Sequence, residues 1–177
     1  RLIGNEPFAV LLPDDVIAAE RPCLLQMVEA YQETGGCMVA AMEVPPEKIS
    51  SYGVLDVSKE MGAIVKVQGM VEKPKAKDAP SNLAVIGRYI LTPKILTNLN
   101  RMKQGVGGEI QLTDAIAAEA KGKAGVYGLL FDGQRYDCGS KIGFLQATVA
   151  FGLARPDLCG EFGAYLNDIM AMQKAAQ

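Results

Sequence analysis

Eight consecutive residues, Cys37-Met38-Val39-Ala40-Ala41-Met42-Glu43-Val44, contain a single charged side chain. A strand with one wet face alternates apolar and polar positions, whereas a nearly unbroken apolar run suits a strand covered on both faces by helices in a parallel sheet. Just upstream, Leu24, Leu25, Met27, Val28 and Tyr31 fall on one helical face, and Gly35-Gly36 supplies the stop. Before that, Phe8 to Leu12 reads as a buried strand ending at Pro13-Asp14-Asp15, where it opens into a loop. Strand, helix, strand is a βαβ unit, and it sets the expectation of an α/β fold.

The remaining segments extend that pattern. Gly53 to Val57 and Ala63 to Val71 read as strands joined by a hairpin through Ser58 to Gly62. Leu83 to Leu91 is a further β-rich run, after which Thr92 is expected to cap a helix with Pro93 in its first turn. Gln104-Gly105-Val106-Gly107-Gly108 reads as a mobile loop. Its glycines follow a helical segment with no lysine at P-loop spacing, so it is not a nucleotide motif. Glu109 to Ala120 suits a helix, Gly125 to Phe131 a strand, and Ser140 to Leu153 and Phe162 to Met172 two closing helices broken at Arg155-Pro156. Their aromatic residues Phe144, Phe151, Phe162 and Tyr165 read as core or oligomer contacts. With no internal repeat or long linker, residues 1–177 are expected to form one domain or part of one. Arg1 precedes a strand within a few residues, the pattern of a chain whose earlier part lies elsewhere.

Composition narrows the chemistry. Eighteen Lys and Arg against twenty Asp and Glu leave a net charge of −2, without the basic excess that coats a phosphate backbone, so nucleic acid is not an expected partner. No apolar run reaches the length of a bilayer-spanning helix and no secretory signal opens the chain, which reads as soluble and cytoplasmic. Cys23, Cys37, Cys138 and Cys159 are scattered, without a CxxC pair, and read as reduced thiols. Histidine is absent, which removes imidazole metal sites and Ser-His nucleophile pairs. Chemistry here must rest on carboxylates, lysines, backbone amides and a borrowed metal.

Three acidic features qualify. Asp14-Asp15 follows a strand, where open α/β sheets bind ligands, and a hard cation is the natural partner of such carboxylates. Read alone, Pro13-Asp14-Asp15 favours a turn and helix cap over metal binding. Asp137, in Tyr136-Asp137-Cys138-Gly139, follows a strand and precedes a helix, so it can reach the same sheet edge, its bland alternative being an N-cap. Glu72 and Lys73, in Val71-Glu72-Lys73-Pro74, stand side by side on a strand and are therefore expected to face opposite ways. An exposed charge pair is the plain reading; a carboxylate for vicinal sugar hydroxyls and a lysine for a phosphate is the functional one.

Taken in order, Leu12-Pro13-Asp14-Asp15, Tyr52-Gly53-Val54, Val71-Glu72-Lys73-Pro74, Ser81-Asn82-Leu83-Ala84, Gly87-Arg88-Tyr89, Glu109-Ile110-Gln111-Leu112-Thr113-Asp114 and Tyr136-Asp137-Cys138-Gly139-Ser140-Lys141 resemble the bacterial UTP-glucose-1-phosphate uridylyltransferases, or UDP-glucose pyrophosphorylases. The similarity runs from about Asn5 to about Leu166. It implies a Rossmann-like mixed sheet flanked by helices, the nucleotidyltransferase fold, here as the C-terminal portion of its catalytic domain. The family's N-terminal strand, glycine-rich G-x-G-T-R loop and first lysine-bearing helix have no counterpart in this sequence. The resemblance implies uridylyl transfer from UTP to glucose 1-phosphate, giving UDP-glucose and pyrophosphate, with Mg2+ as cofactor and a homodimer or homotetramer as assembly. These residues alone are expected to be inactive.

Residue by residue, the resemblance makes Asp14 and Asp137 metal ligands and Gly53 the glycine whose backbone approaches the sugar. Glu72 grips glucose hydroxyls and Lys73 holds the sugar phosphate, while Val85 and Tyr89 line the sugar pocket. Lys141 is added as a second phosphate contact on its nearness to Asp137. Lys73, Asp14 and Asp137 are thus the expected catalytic groups. Two alternatives stay open: a sibling enzyme with another base, thymidylyl or cytidylyl, and a non-catalytic sugar-phosphate-binding module.

Overall fold

In the computed structural model, which describes residues 3–102 and 108–175, the strands are β1 (Phe8–Leu11), β2 (Asp15–Ala18), β3 (Cys37–Glu43), β4 (Gly53–Met61), β5 (Ile64–Glu72), β6 (Leu83–Leu91), β7 (Val126–Leu130) and β8 (Gln134–Asp137). The helices are α1 (Cys23–Thr34), α2 (Lys94–Arg101), α3 (Leu112–Ala120), α4 (Lys141–Ala154) and α5 (Cys159–Ala175). Two compact units emerge: the described residues of Arg1–Leu12 with Ala19–Gly133, and those of Pro13–Ala18 with Gln134–Gln177. The expected loop at Gln104 to Gly107 lies outside the described residues.

In the first unit β3 is the buried centre that its apolar run demands, with Cys37 through Ala41 essentially inaccessible. It runs parallel to β7 and antiparallel to β6. On one face lies α1, which buries Cys23, Met27 and Ala30. On the other, Val39 and Ala41 join Leu55, Val65, Val67, Ile95 and Ile116 in one apolar cluster beneath α2 and α3. Gly35, at φ 69°, ends α1 in the left-handed conformation and donates its N–H to the Tyr31 carbonyl at 2.8 Å, the stop expected from Gly35-Gly36.

The sheet order is β1-β6-β3-β7-β5-β4, and β4 also meets β6 at Val54↔Ala84. The strand-helix-strand unit therefore carries antiparallel β6 between β1 and β3. Nor is β1 buried: as an edge strand it turns Phe8 and Val10 toward the core and leaves Leu11 about half exposed. The β4–β5 hairpin turns later than expected, between Met61 and Ile64 with Gly62 at φ +73°, because β4 absorbs Ser58 to Met61. Thr92 does not cap α2 with its side chain. Its hydroxyl lies 3.6 Å from the Cys37 sulfur, while its carbonyl accepts the Ile95 N–H at 3.0 Å.

The second unit pairs β2 with β8 antiparallel, a ribbon that two four-residue segments did not announce. Ser140 caps α4, its hydroxyl accepting the Gly143 N–H at 3.1 Å and donating to the Asp137 carbonyl at 2.9 Å. Helices α4 and α5 pack together, separated near Arg155-Pro156 as expected. Of the aromatic residues read as core or oligomer contacts, Phe162 is half-buried and Phe144, Phe151 and Tyr165 are exposed.

Candidate functional site

Glu72 is the last residue of β5, and register sets it opposite Gly53, the first of β4. Strand alternation would throw Glu72 and Lys73 to opposite faces, and the structure corrects that expectation. Lys73 lies beyond the strand at φ 45°, and among the described residues it is the one non-glycine with a positive φ. Its N–H donates to the Tyr52 carbonyl at 3.0 Å. This left-handed step breaks the alternation and leaves the Lys73 ammonium 3.9 Å from Glu72 Oε1. Such a conformation costs a side-chain-bearing residue about 1–2 kcal/mol and tends to persist where function uses it.

The Glu72 side chain is 20% exposed and that of Lys73 65% exposed. A pair that open is worth under ~1 kcal/mol, so the ammonium remains available to a phosphate. Glu72 Oε2 accepts a 2.5 Å hydrogen bond from the Thr113 hydroxyl on α3. A β-carbon added to Gly53 would stand 3.1 Å from that same oxygen and 3.5 Å from Thr113 Cγ2. Glycine at 53 is thus a matter of room for the carboxylate. The Val54↔Ala84 pairing puts Val85 in register beside Gly53. Tyr89 lies four residues further along β6, about 13 Å in an extended strand, opposite Val10 and Val39. Val85 and Tyr89 are half-buried against the main cluster.

In the second unit Asp15 and Asp137 are register partners. Asp15 is buried and its carboxylate accepts from the Arg135 guanidinium, both side chains being about nine-tenths covered. Arg135 also lies 3.9 Å from Asp137 Oδ1. Asp14, by contrast, is exposed. Its carbonyl accepts the Cys138 N–H at 2.7 Å, and the Gly139 N–H donates to Asp137 Oδ1 at 3.1 Å. A β-carbon on Gly139 would lie 3.1 Å from Asp14 Oδ2 and 3.2 Å from Asp137 Oδ1, so both acids border one small gap. Lys141, exposed, opens α4 just beyond the Ser140 cap.

Among the described residues no group of three or more His, Cys, Asp or Glu has metal-holding geometry. Two carboxylate oxygens at one gap nevertheless suit Mg2+, which takes one or two protein carboxylates and completes its shell with water and phosphate. The cysteines are free. Burial pushes the Cys23 thiol up to about 11 against the weaker pull of Arg88, and burial raises Cys37 as well, which disfavours the thiolate at both.

Reading the sequence missed two supports. Thr113 stands inside a quoted motif, but its reach across 41 positions to Glu72 is set by how α3 packs on β5. Arg135 had a legible signal: it sits two residues before Asp137, on the same face of a strand.

Residues 1–152 match the nucleotidyl transferase family. A curated UTP--glucose-1-phosphate uridylyltransferase of Komagataeibacter xylinus is 54% identical over 140 residues, covering 79% of this chain and 49% of that protein. One from Staphylococcus epidermidis is 43% identical over 169 residues, covering 96% of this chain and 58% of that protein. The chain thus spans about half the length of the curated relatives it matches. A solved UDP-glucose pyrophosphorylase complexed with UDP-glucose superposes with a TM-score of 0.82 at 46% identity, covering 87% of this chain and 59% of that one.

Proposed function

Because the chain belongs to the nucleotidyl transferase family, we propose that it supplies the sugar-phosphate and metal-carboxylate part of an enzyme moving a uridylyl group from UTP to glucose 1-phosphate. The observation that carries this reading is the end of β5: a carboxylate held by Thr113, a lysine ammonium 3.9 Å from it, and a glycine leaving room beside the carboxylate and Thr113. In this reading Glu72 accepts bonds from sugar hydroxyls, Lys73 holds the sugar phosphate, and Gly53 and Val85 border the hexose with Tyr89 further along β6. Relatives named for this activity, and a solved one complexed with UDP-glucose, support the choice of substrates.

The reaction needs no protein nucleophile. A phosphate oxygen of glucose 1-phosphate attacks the α-phosphorus of UTP, the bond from that phosphorus to the oxygen bridging the β-phosphate breaks, and pyrophosphate leaves with the electron pair. The attacking oxygen is already anionic at neutral pH, so catalysis is orientation and charge neutralisation. Asp14 and Asp137 would hold Mg2+, which neutralises phosphate charge when bound. Lys73 fixes the nucleophile, and Lys141 offers a second cation to a phosphate.

The enzyme is a homodimer or homotetramer, supported by Ile142, Phe144, Leu145 and Met172, which stand 58–72% exposed on the α4–α5 hairpin. It works in the cytoplasm; among the described residues no helix is long and apolar enough to cross a membrane. The test is pyrophosphate release by the full-length protein with glucose 1-phosphate, Mg2+ and each nucleoside triphosphate in turn. Release with UTP above the others is expected. Preference for another base would sink the uridylyl assignment, and sugar-phosphate binding without release would make this a binding module.

A further inference from the structure

The geometry points to Thr113 as the residue that aims Glu72 and so sets how tightly a hexose phosphate is gripped, an inference resting on the sugar-phosphate reading above. Glu72 has three rotatable side-chain torsions and ends a strand, so nothing in its own segment fixes the direction of its carboxylate. Thr113 removes that freedom. Its hydroxyl donates to Oε2 at 2.5 Å, leaving Oε1 on the Lys73 side. The donor is itself anchored, because α3 buries Ala115 and Ile116 at no more than 1% exposure and packs on β5 and β7. Gly53 provides the space in which the two side chains meet, its hypothetical β-carbon lying 3.1 Å from Glu72 Oε2 and 3.6 Å from Thr113 Oγ1.

This makes Thr113 a positioning residue: it acts on the sugar only through the acid. A hydrogen bond to an ionised acceptor is stronger than one between neutral groups, and it orders the acceptor before the ligand arrives. The phosphate of the same ligand is held by Lys73, which Thr113 does not contact in any hydrogen bond of the described residues. Thr113 reaches the phosphate-holding group only through the open Glu72–Lys73 pair, so its loss falls mainly on the sugar.

The experiment compares the full-length wild type with Thr113→Val, which keeps the shape and deletes the hydroxyl, and Thr113→Ser, which keeps the hydroxyl. Calorimetric titration with glucose 1-phosphate and, separately, inorganic phosphate is run beside the pyrophosphate-release assay and thermal melts. Thr113→Val is expected to weaken glucose 1-phosphate about tenfold while phosphate affinity and the melt stay near wild type, with Thr113→Ser restoring the affinity. Unchanged affinity in Thr113→Val, an equal loss for both ligands, or a serine variant as weak as the valine variant would overturn the inference. The split in a wild type that releases no pyrophosphate would sink the catalytic reading and leave Thr113 in place. Flat binding across all three proteins in an active enzyme would sink Thr113 alone.

Discussion

Replacing Arg135 by Met separates a buried charge from its counter-charge. The Arg135 and Asp15 side chains are 11% and 9% exposed, so the pair is desolvated and its residual screening is small. Breaking such a pair from one side costs about 3–5 kcal/mol, chiefly because the surviving carboxylate loses its counter-charge while staying largely desolvated. With about a tenth of each side chain still wet, the lower end applies, near 3 kcal/mol. For a chain of 177 residues that corresponds to roughly 6–12 °C in melting temperature. Urea titrations followed by circular dichroism, with melts alongside, measure both. The companion Asp15→Leu/Arg135→Met protein removes both charges and is expected within about 1 kcal/mol of wild type, which isolates the stranded carboxylate as the cause. A loss under about 1 kcal/mol in Arg135→Met, or a double variant as unstable as the sum of the two singles, would refute the reasoning.

Lys73→Ala in the full-length protein should lower turnover at saturating UTP by about a hundredfold or more, the scale of losing one preorganised electrostatic partner; steady-state kinetics unchanged from wild type would remove Lys73 from the chemistry. Gly53→Ala places a methyl 3.1 Å from Glu72 Oε2 and should raise the KM for glucose 1-phosphate several-fold with a near-normal melt, read from initial rates at fixed UTP. The raised thiol pKa values of Cys23 and Cys37 predict loss of stability at high pH. Below pH 9 the thiols are protonated in both folded and unfolded chains and the stabilisation is complete; as pH climbs from 9 through about 11 the unfolded chain ionises first, and about 2–3 kcal/mol from Cys23 alone drains away. Urea midpoints across pH 7 to 11 should fall less steeply in Cys23→Ala, and parallel curves would contradict the assignment.

What could be read from the chain divides along physical lines. The extents of helix α1 and strands β3 and β6 follow their sequence patterns closely because each is long and has glycine or proline near its ends, but the expected apolar face of α1 is corrected: it buries Cys23, Met27 and Ala30 and leaves Leu25 and Val28 exposed. The β2–β8 ribbon escaped notice since Asp-Val-Ile-Ala and Gln-Arg-Tyr-Asp are each only four residues long, too short to show a period, and its existence rests on pairing across more than a hundred positions. Asp14 and Asp137 border one gap at Gly139 beside the β2–β8 ribbon, not the edge of the main sheet where their motifs were expected to lie, and the adjacent Asp15 is paired with Arg135. The shared side of Glu72 and Lys73 was illegible for a sharper reason: period-two reasoning assumes β backbone, and only coordinates reveal a lysine in the left-handed region.

On the proposed role of that lysine, heat resistance and turnover make opposite demands on position 73. Glycine at 73 would relax the backbone and should gain on the order of 1 kcal/mol, yet it would delete the ammonium assigned to the sugar phosphate. Directed evolution scored on survival after heating should therefore enrich glycine there, whereas selection on product formed should retain lysine, and the divergence of the two lineages at this codon would mark the site without any ligand bound.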